Sequence, residues 1–90
     1  MIDFNRALRP NPDVVAKRLD SAMVLVHVAT NRILELNETG ARVWELLSQG
    51  ATVDQIVRQL VDEFDVEEPR AFDQVKSLIN QLESEALLTL

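Results

Sequence analysis

The chain contains no cysteine, which removes disulfide scaffolds, thiolate zinc sites and cysteine nucleophiles together. Glycine is nearly as scarce. Gly40 and Gly50 are the only two in 90 residues, too few and too isolated for a glycine-rich phosphate loop. His27 is the single histidine, placed among valines on an expected strand. A metal site wants several convergent ligands, and a general base wants a partner that orients it. Neither accompanies His27 in the sequence, so it reads as a structural or surface residue. Long apolar runs are missing too: the longest, Ala22–Val26, stops at His27, well short of the roughly 20 residues of a membrane helix. Met1–Arg6 lacks the basic-then-apolar order of a signal peptide. The expectation is a cytoplasmic protein without membrane association.

The remaining polar residues suggest no chemistry. The acidic run Asp62–Glu68 lacks the glycine and the ordered ligand spacing of a calcium loop, and reads as a solvated helix end. No serine or threonine sits in a nucleophile-elbow context. The chain is therefore not expected to be an enzyme, and no metal or cofactor is assigned.

What is present is the balance of an ordinary globular domain, 47% hydrophobic and 27% charged. The net charge of −6 is unevenly spread. Residues 1–36 hold five Lys or Arg against four Asp or Glu, a net of +1; residues 37–90 hold four against eleven, a net of −7. Nucleic-acid binding is dominated by phosphate neutralisation, so an acidic helical half disfavours it.

Residues 1–12 read as an extended arm, because Pro10 and Pro12 remove donors and turn the preceding residues away from helix. Residues 13–90 form the domain. Val14–Leu19 reads as a weak strand and the β-branched Ser21–Val28 as a strong one. The second is apolar on both sides (Val24, Val26 and Val28 against Met23 and Leu25). Such a strand is either covered twice or part of a subunit contact, and self-association into a homodimer is one reading of it. Ala29-Thr30-Asn31 is a turn with Asn31 suited to a left-handed position. Arg32–Leu36 is the third strand, and an antiparallel meander leaves the first and third at the edges.

Asn37 is the expected N-cap of a first helix that carries Val43, Trp44 and Leu47. Trp44 is either a core residue bridging that helix to the sheet or a partly exposed ligand anchor. Gly40 in the first turn predicts close approach to another backbone. Gly50 is the expected left-handed residue past the helix end. Thr52 and Gln55 form a capping box, after which Val53, Ile56, Val57, Leu60, Val61 and Phe64 recur at helical spacing. Pro69 suits the first turn of a third helix, which places Phe72, Val75, Ile79 and Leu82 on one face and runs to about Glu85. Leu87, Leu88 and Leu90 are expected to pack back onto the body. Three strands followed by three helices give an α+β fold, a winged helix-turn-helix arrangement with its antiparallel sheet placed first.

One part of this layout has a functional implication. The unpaired N–H and C=O groups of an edge strand are a template for an added strand, and a pocket alongside supplies specificity. The third strand and third helix would form such a groove. Its alternative is an edge blunted by Arg32 and Glu35 and merely solvated.

The segment Leu36-Asn37-Glu38-Thr39-Gly40-Ala41-Arg42-Val43-Trp44-Glu45-Leu46-Leu47, followed by Gly50-Ala51-Thr52-Val53-Asp54-Gln55-Ile56, resembles the PqqD family, named for protein D of pyrroloquinoline quinone biosynthesis. The similarity continues through Phe64-Asp65-Val66 and the Val75…Leu78…Leu82…Leu87-Leu88 pattern, covering roughly residues 10–90. The resemblance implies a precursor-peptide recognition element for ribosomally made, post-translationally modified peptides. In such proteins the leader of the precursor adds as an antiparallel strand to the third strand, against the third helix. The precursor is then presented to a modifying enzyme, a radical S-adenosylmethionine enzyme in the founding pathway of cofactor biosynthesis. Carried over by position, the peptide-binding residues are Arg32, Ile33, Leu34, Glu35 and Leu36 on the strand, with Val75, Lys76, Ile79, Asn80 and Glu83 on the helix. Two competing readings stand beside this peptide chaperone. One is a protein–protein adaptor of the same fold that does not bind peptide. The other, a winged-helix DNA-binding regulator, needs a basic recognition helix, whereas helix three sets Arg70 and Lys76 against Asp73, Glu83 and Glu85.

Overall fold

Period-two patterning in the first third of the chain and helical periodicity in the rest become a sheet with helices packed on one face. A computed structural model describes residues 8–89; residues 1–7 and Leu90 lie outside that range, so the start of the expected arm and the packing expected of Leu90 fall outside it too. The element order is β1 (Arg9–Pro10), β2 (Val14–Leu19), β3 (Ala22–His27), β4 (Arg32–Leu36), α1 (Glu38–Ser48), α2 (Val53–Glu63), α3 (Glu68–Ser84) and β5 (Leu88–Thr89). The strand read as third in sequence is thus β4.

Strands β2, β3 and β4 form an antiparallel meander with β3 in the centre. Leu19 pairs with Ala22 across a two-residue turn, where Asp20 takes a φ of 58°, and His27 pairs with Arg32 across a four-residue loop. Asn31 closes that loop at a φ of 59°, a left-handed position to which Asn is well suited. The central strand is one residue shorter at each end than its apolar pattern, because the two turns take Ser21 and Val28. Its two faces differ. Met23, Leu25 and His27 are buried against the helices, while Val24 and Val26 on the other side are only half-buried.

The starts of α1 and α2 follow from their caps, while α3 begins at Glu68 with Pro69 in its first turn and no side-chain cap. The Asn37 side chain accepts the Gly40 N–H at 2.9 Å. Thr52 and Gln55 form the full reciprocal capping box. At the end of α1, Gly50 takes a φ of 87° where the chain leaves the helix. Trp44 is 4% exposed and belongs to the core, with Leu25, Leu36, Val43 and Leu47. Gly40 is constrained, but not by a backbone: a Cβ there would meet the Leu36 Cβ at 3.2 Å and the Asn37 Oδ1 at 3.4 Å. The strand-to-helix corner is tight enough that the last side chain of β4 folds onto the first turn of α1.

Helix α2 buries Val53, Ile56, Val57 and Leu60, and α3 buries Ala71, Val75, Ile79 and Leu82. Two residues of the apolar patterns are more open than the patterns imply, Val61 at 38% exposure and Phe72 at 37%. At 100° per residue Val61 lies about 80° round from Val53, and Phe72 about 60° round from Val75, at the margins of the buried stripes. Ala71 takes the N-terminal core position of α3.

Residues 8–11 are laid against the end of the chain, and Pro12–Asp13 form a turn into β2, closed by the Val14 N–H donating to Asn11 C=O at 2.9 Å. Leu8 is 1% exposed in the core, and Arg9–Pro10 pairs antiparallel with Leu88–Thr89. Leu87 and Leu88 are buried beside it.

Candidate functional site

Strand β4 has β3 on one side and no strand on the other, so one row of its backbone N–H and C=O groups is unpaired by any strand among the described residues. Alternation turns Leu34 and Leu36 toward the helices, and Ile33 and Glu35 toward the opposite face. Along this free edge α3 runs beside the strand, and between them lies a cavity of about 520 Å³. Leu34, Leu36, Val43, Leu60, Val75 and Leu78 give it an apolar floor. Its rim is polar (Asn37, Thr39, Gln74, Ser77 and Gln81) and of mixed charge, with Arg70 and Asp73 on the helix and Glu35 on the strand. A second cavity of about 500 Å³ adjoins it through Thr39, Leu60, Arg70 and Gln74, and continues toward the α2–α3 connector at Phe64–Glu67. At the other end Arg32 Nη2 meets Glu85 Oε1 at 2.7 Å, tying the start of β4 to the end of α3. The arrangement is a trough beside an open strand edge. It can take an extended chain, whose main chain would pair with β4 while alternate side chains enter the floor.

The residues named from sequence fall in different places. Leu34, Glu35, Leu36 and Val75 border the cavity. Arg32 is engaged with Glu85, and Ile33, 68% exposed, faces away from the helices. Ile79 is fully buried beneath α3 rather than lining the trough. Lys76, Asn80 and Glu83 are exposed on α3, but not among the lining residues. The helix residues that do line it, Arg70, Asp73, Gln74, Ser77, Leu78 and Gln81, sit on the other flank of the buried row. The missed signal is Leu78, an apolar residue in an otherwise polar stripe at i, i+4 and i+7 from Gln74.

His27 lies outside the trough. It is 5% exposed at the far end of β3, where Thr30 N–H donates to Nδ1 at 3.3 Å and the Asn11 amide nitrogen is 3.3 Å from Nε2. These contacts tie the β3–β4 loop to residue 11, which is a structural role. Among the described residues no group of three His, Cys, Asp or Glu side chains could hold a metal, and no helix is long and apolar enough to cross a membrane.

The family model described as Coenzyme PQQ synthesis protein D (PqqD) matches residues 22–88, from β3 to the start of β5. The chain belongs to the PqqD family. No curated protein matches it. Among solved structures, this PqqD-family chain is similar to TbiB1 in complex with the TbiA(beta) leader peptide, at 28% identity and a TM-score of 0.84, covering 89% of this chain and 93% of that one. It also shares the fold of lasso peptide synthetase B1 complexed with the leader peptide, at 23% identity and a TM-score of 0.85, covering 93% of this chain and 99% of that one. The three-stranded sheet followed by three helices is thus the α+β architecture expected of the family.

Proposed function

We propose that this protein is a peptide-binding chaperone that captures the leader of a ribosomally made precursor peptide. The leader adds as an antiparallel strand to β4, lies against α3, and is carried to a modifying enzyme that acts on the rest of the peptide. The observation that carries this reading is the free edge of β4 directly beside an apolar-floored trough. Main-chain pairing along the edge supplies affinity for any extended segment, and the floor selects among side chains. The relatives support it: TbiB1, at 28% identity over nearly its whole length, is in complex with a leader peptide. The binding surface in this reading is β4 with Val75, Leu78 and the Gln74 and Gln81 rim. An antiparallel leader places its N-terminal end near Asn37 and Arg70 and leaves past Arg32, where the enzyme would receive it.

Titration of the isotope-labelled protein with leader segments of precursor peptides from its own host tests this. Backbone amide signals of Arg32–Leu36 and of the trough face of α3 should shift together; shifts clustered elsewhere would remove the assignment. Gln74→Trp, at an exposed position bordering both cavities, should fill the trough and weaken leader binding at least about tenfold, equivalent to about 1.4 kcal/mol. Alanine at Lys76, Asn80 and Glu83 together should leave affinity within about twofold. The opposite pattern would move the binding face to the other flank of α3.

A further inference from the structure

The sheet face turned away from the helices is apolar and uncovered. Alternation places Val15, Lys17 and Leu19 of β2, Val24 and Val26 of β3, and Ile33 and Glu35 of β4 on it. Val15, Leu19 and Ile33 are 57%, 49% and 68% exposed. Apolar residues gathered on one face are a candidate for an interaction surface, whereas single exposed residues are not, and the charges on the face carry the rest of the argument.

The two charges on the face specify the occupant. Lys17 and Glu35 each lie directly opposite Val24, one on either side of the central strand. Neither makes an ion pair among the described residues. A two-fold axis along β3, above Val24, turns a second copy face to face and exchanges the β2 and β4 sides. Lys17 of each copy then meets Glu35 of the other. Val15 meets Ile33 by the same operation, because both lie opposite Val26. The face is complementary to itself in charge and in apolar contact, as a two-fold interface requires. The net charge of −6 does not oppose this locally, since the face carries one charge of each sign.

We infer that a second copy of this chain docks on this face, sheet against sheet. The inference does not rest on peptide binding: the trough is floored by the helix-facing Leu34 and Leu36 and by α3, and Glu35 is the one residue that borders both. Three strands about 4.8 Å apart, two of six residues and one of five at about 3.3 Å each, give roughly 270 Å² per copy. A standard stable interface uses about 800 Å² per partner. The dimer is therefore weak and forms at high protein concentration.

Sedimentation velocity over a concentration series reaching millimolar protein tests it, with circular dichroism confirming that each variant is folded. The mass should climb from one chain toward two. Lys17→Glu and Glu35→Lys each turn two ion pairs into two like-charge contacts, and should each weaken association about tenfold. The double variant restores both pairs with reversed polarity and should recover the original association. A mass of one chain at every concentration overturns the inference and leaves the face to a different protein. A double variant that associates no better than the single ones overturns it equally.

Discussion

Ala86 occupies a backbone position that usually goes to glycine. Its φ is 59°, with its N–H bonded to Glu83 C=O at 3.0 Å and the next N–H, of Leu87, bonded to Leu82 C=O at 2.8 Å. The same pair of bonds closes α1, from Gly50 to Leu47 and from Ala51 to Leu46, both at 3.0 Å, with glycine in the left-handed site. A Cβ in that conformation costs about 1–2 kcal/mol, partly offset by the stiffer unfolded chain that alanine gives. Leu87 is 2% exposed, and its burial holds the turn in place. Ala86→Gly should therefore stabilise the fold by about 0.5–1 kcal/mol, raising the melting temperature by a few degrees in a scanning calorimetry trace. A lower melting temperature would show that the turn carries no such strain. Asn11 is bound to the same turn. Its side-chain amide donates to Ala86 C=O at 2.9 Å while its side-chain oxygen accepts the Asp13 N–H at 2.9 Å.

Between elements, the clearest electrostatic tie runs from the sheet edge to α2. Arg18 on β2 pairs with Glu45 on α1, and Arg42, one turn back on α1, reaches Glu63 at the end of α2 with two bonds of 2.8 Å. The Arg42 guanidinium, and next the Gln59 amide, hold the Glu63 carboxyl below its ordinary value of 4.5. The same bond raises the Arg42 pKa above its ordinary value. A carboxylate depressed by folding contributes stability above its unfolded pKa and loses it as pH falls through the folded one. Stability should thus drop below about pH 4.5, and Glu63→Gln should flatten that part of the profile in urea titrations at stepped pH. The pair is about one-third exposed, so the contribution is under about 1 kcal/mol at neutral pH. A variant with the same acid slope as the parent would assign that slope to other carboxylates. Elements were highly legible in sequence, because caps and periodicity act locally. Arg32–Leu36, Asn37, Thr52 and Gln55 need only their neighbours to declare themselves. The trough face of α3 was not legible in this way. Gln74, Leu78 and Gln81 lie about 60–120° to one side of Val75, and Lys76, Asn80 and Glu83 about 80–140° to the other. Periodicity locates the buried row between these flanks and is silent on which of them meets β4.

At the scale of the whole molecule, the two ends of the described chain hold each other. Leu8 enters the same core as Trp44 and Ile79, and β1 pairs with β5. Leu8→Ala should cost about 2–4 kcal/mol, read as a lower urea midpoint at unchanged slope. A loss below about 0.5 kcal/mol would instead mark the segment as a dispensable arm. That cost is a large part of the roughly 5–13 kcal/mol expected for a chain of this size. By itself the sequence determined the order of β2–β4 and the three helices, the Asn37 and Thr52 caps and the corner at Asn37–Gly40, since all of these rest on residues close together in the chain. It also carries the motif of the PqqD family. The pairing of β1 with β5 is not local in this way. Tertiary structure alone decided that Leu8 is core, which flank of α3 borders β4, and that one face of β3 stays open. Each of those depends on how elements distant in sequence are set against one another, and a hydrophobic period records that a face is buried without recording what covers it.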